Sequence, residues 1–178
     1  MAQLLLVSVA DWNPNTQTLR LTDPKGRRTT AREHLLPLAP KGVAIVSELV
    51  RRAALLKTEW LFSSTGKVAM TFETPGKRCA EISTGIGGAS FDLRDIRRTV
   101  ETMLAGMGIS KDVRAQLLSH GISGVQSANY DRHDYVIEKR AALVAWENHL
   151  TRLSATKRTP RTSKRGTANR QPIAKPTA

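Results

Sequence analysis

Cysteine is almost absent from this chain: Cys79 is the only one in 178 residues. A lone cysteine excludes an internal disulfide framework, and a reducing, cytosolic compartment is the simple expectation. Long apolar runs are also missing. None approaches the ~20 residues that a membrane-spanning helix needs, so no membrane span is expected. The apolar start Leu4-Leu5-Leu6-Val7 is too short for the core of a secretory signal. It has no basic lead-in and no cleavage site. There is no internal repeat, which argues against a solenoid. Acidic residues are scarce beside basic ones: 15 Asp and Glu face 28 Lys and Arg, a formal net charge of +13. That balance favours a polyanionic partner, nucleic acid first and an anionic membrane surface second.

The charge is unevenly spread. Residues 151–178 hold eight cations and no acid, which leaves 20 basic against 15 acidic residues in 1–150. The extreme basicity therefore belongs largely to the end of the chain. Residues 154–178 are rich in Thr, Ser, Pro, Lys and Arg, with few large apolar side chains to bury. That composition predicts a disordered basic tail behind a single domain over 1–153.

Within the domain, Gln3–Val9 reads as a short strand or as the last turns of a buried helix. Thr18–Thr22 alternates as a strand does. Asp23-Pro24-Lys25-Gly26 is a turn, and His34–Leu38 reads as a returning strand. Together 18–38 predict a small hairpin or three-stranded sheet with a basic tip. From Gly42 to Lys57, Val43, Ile45, Val46, Leu49, Val50, Ala53 and Leu56 fit one helical face. Residues 68–90 look broken, with Pro75-Gly76 and Gly85–Gly88 interrupting any long element. The last third is helical. Ile96, Val100, Met103, Leu104 and Met107 form one face, which Gly108 should end. Ser110 is placed to cap a short helix to Leu118 with Val113, Leu117 and Leu118 inward. Asp134 is placed to cap a last helix to about Leu153, with Ile137, Ala141, Leu143, Val144, Trp146 and Leu150 on its apolar face. The expected class is α+β, mainly α: a helical bundle with a small antiparallel hairpin or sheet near the start.

The chemistry concentrates between Arg94 and His133. Arg94 and Arg97 are three apart, so they share a face at the start of a helix, where free N–H groups and the positive dipole end also lie. Two guanidiniums aimed at one place suit a phosphate, because each can donate two parallel hydrogen bonds. A solvated basic helix start is the plain alternative. His120 sits between Ser119 and Gly121 at a helix end, and Tyr130 follows a polar loop. Either residue taken alone is more commonly structural. A phenol titrates near ~10 and is a poor nucleophile unless cations stabilise the phenolate. Guanidiniums would do so, and would also stabilise charge building on a phosphoryl group. Tyr135, the second tyrosine, falls inside the predicted helix start and ranks below Tyr130.

The segments D-I-R-R-T-V-E-T-M-L, G-I-S-K-D-V-R-A-Q-L-L-S-H-G and N-Y-D-R-H, in that order, resemble the catalytic box of the tyrosine recombinases, the phage integrase family. The hairpin D-P-K-G-R-R…H-L-L-P-L is similar to that family's lysine-bearing β-hairpin. The resemblance covers roughly 1–150 and implies an integrase-type catalytic domain. It implies that Tyr130 attacks a scissile phosphate and forms a 3′-phosphotyrosyl link to DNA. It makes Arg97 the phosphate-clamping arginine and His120 the histidine that hydrogen-bonds the phosphate. It makes Lys25 the lysine that protonates the leaving 5′-oxygen. Arg94 falls where the family usually carries histidine, so H-x-x-R reads R-x-x-R here, and the implied role is clamping rather than acid–base work. The resemblance implies no metal, no cofactor and no ATP. The implied partner is double-stranded DNA, bound as a tetramer in a bacterial or phage-type, nucleoid-associated setting. Expected DNA contacts are Arg27, Arg28, Arg98, Arg132 and His133, with Lys157, Arg158, Arg161, Lys164 and Arg165 in the tail.

One expected element has no match. The family's first catalytic arginine lies in a G-x-R-type motif just before the segment that Ala2-Gln3-Leu4-Leu5 resembles, and no arginine precedes Arg20. The family's separate DNA-binding domain has no counterpart either. The sequence therefore reads as the distal part of a catalytic domain, through a mis-called start, a decayed gene or a natural truncation. Stand-alone activity is expected to be weak or absent. Two other readings stay open: a catalytically inactive DNA-binding remnant, and an RNA-binding or ribosome-associated basic protein. The second leaves the Arg–His–Tyr order unexplained.

Overall fold

Alternation of apolar and polar residues builds the sheet as expected. In the computed structural model, which describes residues 2–23, 32–71, 73–119 and 135–156, strands β1 (Trp12–Asn13), β2 (Thr18–Asp23) and β3 (Arg32–Pro37) form an antiparallel sheet in the order β1-β2-β3. Leu19 stands opposite Leu36 and Leu21 opposite His34. Successive strand side chains take opposite faces. Leu19 and Leu21 therefore enter the core, where Val7, Val46 and Leu61 meet them and Leu4, Trp12, Leu36 and Leu49 pack around. Each such buried side chain stabilises the fold by roughly 1.5–3 kcal/mol. Arg20, on the other face, bonds Asp11 at 3.0 Å.

The apolar start resolves to helix: α1 covers Ala2–Leu5, and a 3-10 turn follows at Val9–Asp11. Asp11 accepts the N–H and the hydroxyl of Ser8 at 3.0 and 2.8 Å. Partial burial raises the Asp11 pKa, but those two bonds and Arg20 outweigh it and hold the carboxyl below its usual value. Backbone bonds from Val9 to Glu59 and from Leu61 to Val7 tie this segment to the chain that follows the next helix.

That helix, α2, runs Pro40–Leu56, with proline in its first turn and Lys57 ending it in the left-handed region. Proline suits the first turn because its missing N–H would have no partner there. Val46 and Ala53 are buried, whereas Ile45, expected inward, is 61 % exposed. The stretch that looked broken is in fact helical: α3 covers Glu73–Ile86 straight through Pro75-Gly76. Pro75 falls in the first turn, where no intrahelical N–H bond is lost. The real break comes later, at Gly87 and Gly88, both with positive φ. Cys79 and Ser83 are its buried residues, and the Ser83 hydroxyl accepts the Phe91 N–H at 2.9 Å.

Helices α4 (Leu93–Gly106) and α5 (Lys111–Leu117) follow the expected bounds. Gly108 turns the chain with φ +80°, and the Ser110 hydroxyl accepts the Val113 N–H at 3.3 Å. The last helix, α6 (Val136–Thr156), packs on β3 and α5 and reaches Thr156, three residues past the expected end. Its orientation differs from the apolar pattern. Ile137 is 79 % exposed and Ala141 is exposed, while Lys139 and Ala142 are buried. Polar anchoring explains the rotation. Lys139 Nζ donates to the Leu35 carbonyl at 2.6 Å, and Arg140 donates to the carbonyls of Leu38 and Thr16 at 2.9 and 2.6 Å. The expected cap Asp134 lies outside the described residues.

Candidate functional site

Cations at a helix start meet the positive end of the dipole and destabilise it. α4 offsets that cost with acids. Asp92 caps the helix, accepting the backbone N–H of Arg94 at 2.7 Å and of Asp95 at 3.0 Å. Asp95 returns the bond by accepting the Asp92 N–H at 3.0 Å, completing a capping box. The Asp95 N–H lowers the Asp92 pKa most; desolvation opposes it, and the bonds and charge of Arg94 add to the lowering, so the carboxyl stays below its usual value. Arg94 Nε also bonds Asp92 at 3.2 Å, and Arg98 bonds Asp95 at 3.3 Å. Both arginines are highly exposed, with side chains 82 % and 76 % accessible.

Arg97 behaves differently. Its Nη2 crosses to the end of α5 and donates to the Leu118 carbonyl at 2.9 Å. The expected shared task of Arg94 and Arg97 is therefore divided: Arg94 serves its own helix cap, and Arg97 reaches across the fold. The bond sets Arg97 beside Ser119, the residue before His120. Ser119 takes positive φ (51°), a conformation unusual outside glycine.

Arg97 lines a cleft of about 220 Å³ together with His34, Gln3, Leu4, Leu21, Leu36, Leu117, Leu118 and Ser119. Helix α1, the two longer strands, α4 and the end of α5 thus converge on one place. His34 was missed by sequence reasoning as a site residue. It is only 6 % exposed and lies on β3 opposite Leu21. The signal was present: in R-E-H-L-L-P, His34 and Leu36 share the inward parity, so an imidazole occupies a core-facing strand position.

The segment that holds Tyr130 is framed by described residues on both sides. Ser119 stands at the cleft, and Tyr135 precedes α6 with φ 54° and accepts the Lys139 N–H at 2.9 Å. Lys139 in turn bonds Leu35, the neighbour of His34. Both flanks of 120–134 are thus brought to β3. Tyr130, His120, Arg132 and His133 themselves lie outside the described residues, as do Lys25, Arg27 and Arg28 of the hairpin tip and Lys157, Arg158, Arg161, Lys164 and Arg165 of the tail.

This architecture has a counterpart among solved structures. The fold is similar to that of XerA recombinase, a tyrosine recombinase, with a TM-score of 0.59 over 89 % of this chain at 16 % identity. The chain spans about half of that protein, 53 % of its length. No family model and no curated protein matches the sequence. At this identity the likeness concerns the fold: a mainly helical domain with a small three-stranded antiparallel sheet, of the recombinase catalytic-domain type.

Within that recombinase-like fold, Arg97 combines a guanidinium with an apolar wall. The wall is formed by Leu4, Leu21, Leu36 and Leu117, while Arg97 itself is exposed to solvent. Such an arrangement is suited to an oxyanion. Among the described residues, no group of three His, Cys, Asp or Glu could hold a metal ion. Also among them, no helix is long and apolar enough to cross a membrane.

Proposed function

We propose that this chain acts in site-specific DNA recombination or integration, with Tyr130 as nucleophile and Arg97 as the phosphate clamp. The observation that carries the proposal is the position of Arg97. It leaves its own helix for the end of α5, directly before His120, inside a recombinase-like fold. In the proposed step, the Tyr130 oxygen attacks phosphorus, a 3′-phosphotyrosyl bond forms and the bond to the 5′-oxygen breaks. The phenol proton leaves to solvent, and Lys25 protonates the departing 5′-oxygen. His120 donates to a phosphate oxygen. Reversal by another 5′-hydroxyl rejoins the strands, so the phosphate bond energy is conserved and no ATP is needed. Double-stranded DNA is the proposed partner, and a tetramer on DNA the proposed assembly.

Tyr130 is tethered in sequence to the described residue Tyr135. Five peptide units separate Tyr130 from Tyr135, a reach of at most about 18 Å, and α6 beyond Tyr135 is fixed to β3 through Lys139.

A second reading, DNA binding without cleavage, draws on Arg94. Its guanidinium is held by Asp92 in the α4 cap and does not line the Arg97 cleft. A site with one clamping arginine instead of two would lose roughly 100-fold or more in rate. One experiment separates the readings. The chain is incubated with a library of nicked duplexes of random sequence, and detergent-resistant protein–DNA adducts are collected and mapped. Strand exchange requires an adduct at Tyr130 that Tyr130→Phe abolishes and Tyr135→Phe retains. Salt-sensitive DNA binding with no adduct in any sample selects the non-cleaving reading.

A further inference from the structure

We infer that Arg140 is a positioning residue for the proposed reaction. Its guanidinium seats the first turns of α6 on the corner where β2 begins and β3 ends, and so sets where the tether to Tyr130 is fixed. The inference rests on the reading that Tyr130 is the nucleophile.

Three hydrogen bonds carry it. Arg140 Nη2 donates to the Thr16 carbonyl at 2.6 Å. Its Nη1 donates to the Leu38 carbonyl at 2.9 Å and to Gln17 Oε1 at 3.4 Å. Thr16 and Gln17 lead into β2, and Leu38 follows β3. The Leu38 N–H donates in turn to the Gln17 carbonyl at 3.0 Å, so the acceptors are themselves tied together. A planar fork that bonds two carbonyls from different segments fixes both the direction and the rotation of the helix that carries it. An ammonium on a flexible stem, or an apolar side chain, fixes neither.

That rotation matters because apolar packing is non-directional. The apolar pattern of α6 alone would turn Ile137 inward, yet Ile137 is 79 % exposed. Arg140 lies five residues past Tyr135 and ten past Tyr130. The Lys139 N–H bonds the Tyr135 carbonyl at 2.9 Å, so a roll of the first turns of α6 carries Tyr135 with it. The same sheet supplies Leu21 and Leu36 to the wall of the candidate cleft. Arg140 thus refers the tether of the nucleophile and the cleft wall to one frame. In-line attack is unforgiving: a misplacement of about 1 Å can cost ~100-fold in rate. The far half of α6 has separate anchors. Glu147 accepts the Lys41 N–H at 2.8 Å, and the Thr151 hydroxyl accepts from Lys41 Nζ at 2.7 Å. They provide a control on the same helix, away from Tyr135.

Two measurements on the full chain test this. In the first, the rate of adduct formation on the nicked duplex library is measured at saturating DNA, beside the noncovalent affinity and the urea midpoint. Arg140→Met should lower the saturating rate about 10-fold or more and change the affinity little. Arg140→Lys, which can keep one of the bonds, should recover part of the rate. Glu147→Ala should lower the urea midpoint but leave the saturating rate near that of wild type. A normal rate in Arg140→Met, or equal losses in Arg140→Met and Glu147→Ala, overturns the inference and leaves strand exchange standing. In the second, amide hydrogen exchange is followed along α6 without DNA. Arg140→Met should speed exchange at Val136–Arg140 and leave Asn148–Leu153 unchanged. Exchange that quickens evenly along α6 reports a general loss of stability and overturns the inference. If wild type makes no adduct, strand exchange falls. Faster exchange confined to Val136–Arg140 then still supports Arg140 as the residue that seats the start of α6. Where Arg140→Met does not fold, Arg140→Lys carries both comparisons.

Discussion

Arg97 Nη2 lies 2.9 Å from the carbonyl oxygen of Leu118. That bond joins the start of α4 to the end of α5 and aims one arginine of the basic cluster into the His34 cleft. Arg94 and Arg98, three residues or fewer away, are held by acids of their own helix. The three arginines should therefore respond differently to mutation. Arg97→Ala is expected to lower adduct formation ~100-fold or more, the usual result of removing a donor from a developing phosphoryl charge. Arg97→Lys should recover little, because an ammonium cannot reproduce the planar fork. Arg98→Ala should change the yield less than 3-fold (roughly 0.6 kcal/mol on the ~1.4 kcal/mol per decade scale). Equal losses at 97 and 98 would mean that only bulk charge matters.

Lys139 is 2 % exposed and donates to Leu35 O at 2.6 Å. Replacing it by Met keeps the stem and deletes the donor, so the charge-assisted bond to the Leu35 carbonyl is lost. Such a loss costs about 1–3 kcal/mol. Urea unfolding should show a lower midpoint for Lys139→Met than for Ile137→Ser, because Ile137 is 79 % exposed. The apolar pattern read without the structure orders these two positions the other way.

That reversal shows where sequence reasoning works and where it fails. Alternation at Thr18–Thr22, the glycine at 108 and the cap at Ser110 act locally, so each could be read from a few residues. The face of α6 could not, because its rotation is set by hydrogen bonds from Lys139 and Arg140 to carbonyls about a hundred residues earlier. Pro75-Gly76 misled for a different reason. Whether a proline breaks a helix depends on its distance from the first turn, and that start is set by tertiary packing. The Arg–His–Tyr order was read through family resemblance, and its His120 and Tyr130 lie outside the described residues. His34 was legible only as strand parity, and its place depends on a cleft that five separate elements create.

Ser110 caps α5, a helix of only seven residues. A helix this short depends on its ends. Ser110→Ala should destabilise the chain by about 1 kcal/mol, and Ser110→Asp should be close to neutral. Because α5 carries Leu118, the alanine variant should also loosen the Arg97 contact. Faster hydrogen exchange at Gln116–Ser119 would register that change. Unchanged exchange there would separate the cap from the site.

Two carboxyls carry the acid sensitivity that geometry predicts. Asp11 and Asp92 are both held below the ordinary value of 3.8 by donors that require the charged form. A group whose folded pKa is lowered contributes its stability fully above the unfolded pKa, and loses it as pH falls through the folded one. The stabilisation from Ser8 and Arg20 at Asp11, and from Asp95 and Arg94 at Asp92, should hold from neutral pH to about pH 4 and fade below. Comparing urea midpoints of wild type and Asp11→Asn from pH 7 to pH 2 tests this. The gap should be widest at pH 7 and close toward pH 2. A gap of constant size at pH 2 would show that volume or hydrogen-bond geometry, and not charge, separates the two.

Seven lysines and arginines follow Thr156. Each phosphate that they neutralise on duplex DNA should add about 0.9 to the magnitude of the log–log salt slope. Deleting 157–178 is the informative cut. A cut at 154 would remove the last turn of α6, which ends at Thr156. If the tail contacts DNA, the truncated chain should bind with a slope flatter by about 2 or more, corresponding to two or more lost phosphate contacts. Its adduct position at Tyr130 should not change, because the loss is affinity without sequence content. An unchanged slope would assign all the DNA contact to the body of the protein. In that case Arg97 and its neighbours, with a formal excess of only 20 basic over 15 acidic residues in 1–150, would have to hold DNA alone.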